Sequence, residues 1–107
     1  MKIDLKLGAI TAADAASLMG AELYTLSADA PARSIANFTD EIGEIARSTM
    51  FLVSEDNSLA EMMAAAKNGA LAVLCTKGPA SLERIPDTAV LVCDSIPAAL
   101  ARLAKAY

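Results

Sequence analysis

The sequence predicts a small α/β domain with a mostly parallel sheet, on three observations. Residues 50–53, 71–75 and 89–93 are apolar runs without polar alternation, which is typical of strands covered on both faces. Stretches of helical character alternate with these runs, and parallel strands need such crossover connections. The chain has 107 residues and is 55% hydrophobic, enough for one domain with a real core. We therefore expect a βαβαβα unit in residues 50–107, within a two- or three-layer domain that spans residues 1–107.

The N-terminal part should add strands and one short helix. Residues 2–7 alternate between polar and apolar side chains, as a half-buried strand does. Thr11 is a suitable N-cap for a helix over residues 12–19, and Gly20 should end that helix. Further strands are expected at residues 22–26 and 34–38.

The least regular stretch is residues 39–49, which contains three carboxylates and three hydroxyl side chains. We interpret it as a connecting loop, with or without a helical turn. Polar loops on a rigid scaffold often carry binding residues, so both a solvated connection and a binding loop stay open.

The second half contains clear helix signals. Ser58 and Glu61 match the capping-box spacing, and Gly69 should end the helix that they begin. Its predicted inner face holds Leu59, Met62, Met63 and Ala66. Residues 80–84 form at most a brief helix. Ser95 caps the final helix over residues 95–106.

Composition excludes several classes of function. The net charge is −4 and aromatic residues are only 4%, which argues against nucleic-acid binding. No apolar run approaches the length of a membrane span or a secretory signal, so we expect a cytoplasmic protein. Histidine is absent, which removes histidine-dependent catalysis. No catalytic constellation or metal-ligand spacing is found. Cys75 and Cys93 are expected to be buried, reduced thiols, or alternatively thiols that line the carboxyl edge of the sheet.

The position of a ligand site follows from the predicted sheet. In open parallel sheets, ligands bind beyond the carboxyl ends of the strands. Those positions fall at residues 54–58, 76–78 and 94–95. The first amides of the helices that start near Ser58 and Ser95 could hold a phosphate or a carboxylate, whereas ordinary capping is the simpler interpretation for Ser95.

Taken together, the motifs resemble the N-terminal domain of the Mur ligases, especially the branch that adds D-alanyl-D-alanine to a UDP-muramoyl-tripeptide. Asn37-Phe38-Thr39-Asp40 falls where that family has Thr-Asp-Ser-Arg. Residues 64–74 match its alanine-rich helix, Gly-Ala turn and strand. The closing Leu-Ala-Lys-Ala-Tyr of residues 103–107 matches the segment before its ATP-binding domain. The likeness covers nearly the whole chain, with further matches at residues 10–23, 48–53 and 90–102.

The resemblance implies a substrate-recognition domain that holds the UDP part of a UDP-muramoyl-peptide and has no catalytic residue of its own. Its expected binding residues are Thr39, Asp40, Ser54, Asn57 and Ser58. Asp40 matches the family pattern directly and Thr39 nearly so, whereas Asn57 and Ser58 match by position. No cofactor or metal is expected in this domain, because ATP and magnesium belong to the central domain of such a ligase. The expected partners are the precursor and the central and C-terminal ligase domains, with a homodimer also possible.

Three segments depart from the family pattern. Glu41-Ile42 replaces Ser-Arg, Thr49-Met50 replaces Gly-Asp, and residues 57–61 replace Asp-Gly-His-Asp-Phe. The alternative is therefore a stand-alone ligand-sensing or protein-interaction module of the same fold, comparable to the DRTGG domains. A small independent enzyme is a third interpretation, which no converging set of catalytic groups supports.

Overall fold

Four parallel strands form the centre of the sheet. The structure, a computed structural model, describes residues 3–4, 9–53, 58–76 and 85–106. In these residues the strands are β1 (Ile3–Asp4), β2 (Ile10–Thr11), β3 (Glu22–Tyr24), β4 (Ser34–Ile35), β5 (Asn37–Thr39), β6 (Thr49–Leu52), β7 (Ala72–Cys75) and β8 (Ala89–Val92). The α-helices are α1 (Ala12–Met19), α2 (Ser58–Lys67) and α3 (Ile96–Ala106), and short 3-10 helices lie at Ala30–Ala32 and Ile42–Glu44.

The described strands form a six-stranded sheet in the order β1-β5-β6-β7-β8-β3, and β2 pairs with β4 in a small second sheet. The pairs from β5 to β8 are parallel, while β1 and β3 run antiparallel along the two edges. The predicted mostly parallel α/β sheet is confirmed. The predicted brief helix at residues 80–84 lies outside the described residues, as do residues 5–8 of the first predicted strand.

The sheet has helices on both faces, so the domain has three layers. Side chains alternate along each buried strand. Met50 and Leu74 lie on the face that α1 and α3 cover, together with Met19 of α1. Phe51 and Val73 lie on the opposite face, which α2 covers. This double coverage explains the unbroken apolar runs in the sequence, since each strand residue meets a core.

Helix α1 begins and ends where its local chemistry predicts. The amide of Asp14 donates a hydrogen bond of 3.1 Å to the Thr11 hydroxyl, as an N-cap requires. Gly20 ends the helix at φ +69, a conformation that glycine adopts without a steric cost. The guanidinium of Arg102 in α3 donates to the Met19 carbonyl at 3.1 Å, which joins the two helices of this face.

Helices α2 and α3 agree with prediction to within a residue. Gly69 follows α2 at φ +89, and Ala98 donates its amide to the Ser95 hydroxyl at 3.4 Å in front of α3. One part of the predicted α2 face is wrong. Met62 is buried as expected, but Met63 is 38% exposed, because Ala65 occupies the inner position instead. The side chain of Leu59 lies outside the described part.

The predicted strand at residues 34–38 divides into two. Ser34–Ile35 pairs with β2 in the small sheet, and Asn37–Thr39 joins the main sheet. Between them, the amide of Ala36 donates to the Ser48 carbonyl at 2.9 Å, which extends the pairing of β5 with β6 by one residue.

Candidate functional site

The carboxyl edge of the parallel strands is where the sequence places the ligand. Thr39, the last residue of β5, pairs with Phe51 of β6. The last residue of β6 pairs with Leu74 of β7, and the last residue of β7 pairs with Val92 of β8. Helices α2 and α3 start after β6 and β8, so their first amides are directed to this edge. The topology therefore brings Thr39, Asp40 and Ser58 to one edge.

Thr39 is fully buried, and its hydroxyl has two partners. It donates a hydrogen bond of 2.6 Å to Oε1 of Glu44 and accepts one of 3.1 Å from the amide of Glu41. Both partners belong to the loop that follows β5. The hydroxyl of Thr39 thus holds the start of that loop to the sheet, and its predicted contact with a ligand stays a prediction.

The contact with Thr39 changes the pKa of Glu44. The hydrogen bond from the Thr39 hydroxyl favours the carboxylate and lowers the pKa of Glu44. The group is consequently ionised throughout the neutral range.

Thr49 holds the other end of the same loop in the same manner. Its buried hydroxyl donates to Oδ1 of Asn37 at 2.6 Å and accepts from the amide of Ala46 at 3.0 Å. Between the two threonines, Ile42 and Ile45 pack against the core on the α2 side. Residues 40–48 therefore form a loop that is fixed at both ends and in its middle.

The remaining predicted site residues are unevenly placed. Asp40 is exposed at the carboxyl edge, directly after the buried Thr39. Ser58 is the first residue of α2, and its side chain is outside the described part. Ser54 and Asn57 also lie outside the described residues. Of the two predicted site residues whose side chains the structure describes, Thr39 is buried and Asp40 is exposed.

Near the carboxyl end of β8, the predicted edge residues cap a helix or lie in the core. The Ser95 hydroxyl accepts the amide of Ala98, and the Ser95 carbonyl accepts that of Ala99 at 2.9 Å, which is ordinary helix capping. Cys75 and Cys93 are both buried, and neither forms a disulfide. They belong to opposite faces of the sheet and so do not form a pair of thiols at one site. Burial raises the pKa of the Cys93 thiol, which keeps it protonated at neutral pH.

The opposite, amino edge of the sheet has a feature that sequence reasoning missed. A cavity of about 420 Å³ there is lined by Arg33 and Arg47, and a neighbouring cavity of about 350 Å³ is lined by Met63 and Lys67. These residues are widely separated in the sequence. Only the pairing of the strands brings them together, so no motif or spacing could have indicated the site.

Two features are absent from the part of the chain that the structure describes. No group of three or more His, Cys, Asp or Glu side chains gathers there in a way that could hold a metal ion. None of the helices in that part is both long and apolar enough to cross a bilayer.

No protein-family model and no curated protein matches the chain.

Proposed function

We propose that this chain is the substrate-recognition domain of a Mur-type, ATP-dependent amide ligase of cytoplasmic peptidoglycan synthesis. The observation that carries the proposal is the likeness of residues 10–23, 64–74 and 90–107 to the N-terminal domain of that family. The three-layer α/β fold supports it, because a parallel sheet with two helix starts at its carboxyl edge offers a place for a nucleotide.

In this proposal the carboxyl edge holds the UDP part of a UDP-muramoyl-peptide. The first amides of α2, near Ser58, suit the pyrophosphate, since a helix start presents unpaired donors and a positive dipole end. The exposed carboxylate of Asp40 suits a neutral donor, such as a ribose hydroxyl or the uracil N–H, because it would repel a phosphate. Ser54 and Asn57 complete the proposed site, and Thr39 positions the loop.

The role of this domain is to bind and orient the precursor. The central domain of a ligase of this type would supply ATP and magnesium, and the C-terminal domain would bring the amine. An amide then forms through an acyl phosphate on those domains. Holding the nucleotide in a fixed place lowers the entropic cost of that step without a catalytic group in this chain.

The second candidate is a stand-alone ligand-sensing or protein-interaction module of the same fold. Two observations favour it. Glu41-Ile42 stands where the family has Ser-Arg, and the hydroxyl of Thr39 is already bonded to its own loop. A homodimer would fit this candidate.

Isothermal titration of the chain with UDP and with UDP-muramoyl-tripeptide tests the proposal. Both ligands should bind, and Asp40→Asn should weaken both by roughly tenfold, the usual effect of losing a hydrogen bond to a charged group. Asp29→Asn is the matched control, because Asp29 is exposed and makes no side-chain cap at Ala30–Ala32. Absence of heat at millimolar UDP and precursor would reject nucleotide recognition and leave the module as the better description.

A further inference from the structure

The two cavities at the amino edge are neighbours that share three lining residues. Both are lined by Ala66 of α2 and by Asp87 and Thr88, which immediately precede β8. The larger cavity extends past Gly69, where an added Cβ would meet no atom within 4 Å, so the backbone there leaves open space. We call these two neighbouring cavities, which lie before the starts of β7 and β8, the amino-edge groove.

Basic side chains concentrate at this groove. Arg33, Arg47 and Lys67 line it, and Asp87 is the acid among its described lining residues. The chain as a whole has only 9 basic residues against 13 acidic ones. A local excess of positive charge on an acidic protein attracts anions specifically to that place.

The two arginines are held in different ways. The guanidinium of Arg33 donates to the Asp87 carbonyl at 3.2 Å, which positions it across the groove. Arg47 makes no hydrogen bond with any residue that the structure describes. Its backbone is nevertheless fixed, because the neighbouring Ala46 amide bonds to the buried Thr49 hydroxyl at 3.0 Å. An anchored backbone with an available guanidinium is a partly preorganised donor.

Backbone groups around the groove are already bonded, so side chains must recognise the ligand. The amides of Leu71, Thr88 and Ala89 donate to backbone carbonyls at 3.0 to 3.2 Å. The helix α2 ends at this edge, and the negative end of its dipole would oppose an anion. Its last carbonyls, however, accept the amides of residues 68–70, which reduces that effect.

The other half of the groove is apolar. Met63 is 38% exposed on α2, and it lines the smaller cavity together with Ile85 and Pro86. An exposed methionine beside a basic cluster suits an adaptable contact with an apolar group.

We propose that the amino-edge groove binds a small organic phosphate. The phosphate would bridge Arg33 and Arg47, since a guanidinium matches phosphate oxygens with paired, charge-assisted hydrogen bonds. The apolar body of the ligand would lie against Met63, Ile85 and Pro86. This proposal is independent of nucleotide recognition at the carboxyl edge.

The test uses the ¹⁵N-labelled chain in NMR titrations with phenyl phosphate and with inorganic phosphate. Both should shift the amides of Gly69 and Thr88, and phenyl phosphate should bind more tightly. Arg47→Gln should weaken both probes by about tenfold or more, as loss of a charged hydrogen bond does. Met63→Ala should remove the advantage of phenyl phosphate and leave the affinity for inorganic phosphate unchanged.

Two control variants match these changes. Lys105→Gln removes an exposed positive charge in the last turn of α3, and Leu26→Ala truncates an apolar side chain that is 58% exposed elsewhere. Neither should alter binding of either probe. Asp40→Asn should also leave it unchanged, which separates this site from the carboxyl edge.

Three results would overturn the proposal: no shift at tens of millimolar phenyl phosphate, equal affinity in Arg47→Gln, or shifts that map to the residues around Asp40.

Discussion

Thr39 and Thr49 hold the two ends of one loop with the same chemistry but with different partners. Each threonine is fully buried, and each hydroxyl donates one hydrogen bond and accepts another. Thr39 lies at the carboxyl end of β5 and donates to the carboxylate of Glu44. Thr49 lies at the amino end of β6 and donates to the neutral amide oxygen of Asn37.

The difference divides the loop into a charged end and a neutral end. A hydrogen bond to an ionised acceptor is roughly twice as strong as a neutral one. It also depends on pH, because it weakens when the acceptor takes up a proton. The loop that connects the two edges of the sheet should therefore be held more firmly at the carboxyl edge at neutral pH. That advantage should decrease in acid.

Replacing Thr39 tests the charged end and has the largest expected effect. Thr39→Val keeps the shape of the side chain and removes both hydrogen bonds, which should lower the free energy of unfolding by about 1.5–3 kcal/mol. Urea denaturation followed by circular dichroism at neutral pH measures it. A loss below that of Thr49→Val would reverse the ranking of the two ends.

Thr49→Val tests the neutral end and should cost about 0.5–1.5 kcal/mol in the same measurement. It removes the bond across strands to Asn37 and the bond from Ala46. The double variant Thr39→Val/Thr49→Val shows whether the two ends act independently. Because the loop is also packed through Ile42 and Ile45, we expect the two losses to add.

Acid should weaken the hydrogen bond at the Thr39 end of the loop and leave the one at the Thr49 end unchanged. The folded-state pKa of Glu44 is lowered from its ordinary value of 4.5, chiefly by the Thr39 hydroxyl. The unfolded chain therefore binds this proton more readily, so the contribution is present above pH 4.5 and is lost as pH falls through the folded-state pKa.

Denaturation of wild type and variants at several pH values between neutral and acid shows this loss. Glu44→Gln and Thr39→Val should both decline less steeply than wild type in that window, and Thr49→Val should decline as wild type does. Parallel declines in all four proteins would mean that Thr39 does not set the titration of Glu44.

The elements that were predictable from sequence are those whose cause is local or periodic. The strands β6, β7 and β8 agree with the apolar runs because each is buried on both faces. Thr11 and Gly20 agree because caps act on amides and carbonyls a few residues away. The polar character of a residue, however, does not determine whether its side chain points to solvent or into the core. Residues 39–49 look like an open polar loop in sequence, yet both flanking threonines turn inward.

The elements that were not predictable depend on distant pairing. The division of residues 34–38 depends on the pairing of β4 with β2 and of β5 with β1 and β6. The exposure of Met63 depends on how α2 is rotated on the sheet. The amino-edge groove requires Arg33, Arg47 and Asp87, which are far apart in the sequence, to line the same cavity. It can therefore be found only from the three-dimensional structure. For the carboxyl-edge site, the sequence predicts the edge, while the burial of Thr39 depends on its pairing with Phe51.

The smallest expected effect concerns Arg47, two residues before the neutral end of the loop. Its side chain is exposed, and the anchoring contact beside it comes from the backbone of Ala46. Arg47→Gln should therefore change the free energy of unfolding by no more than about 0.5 kcal/mol. Urea denaturation without added phosphate, beside Lys105→Gln, measures this. A loss as large as that of Thr49→Val would show that Arg47 supports the loop, and its weaker phosphate binding could then reflect a displaced loop. If Arg47→Gln leaves the free energy of unfolding unchanged, its weaker phosphate binding is due to loss of the guanidinium.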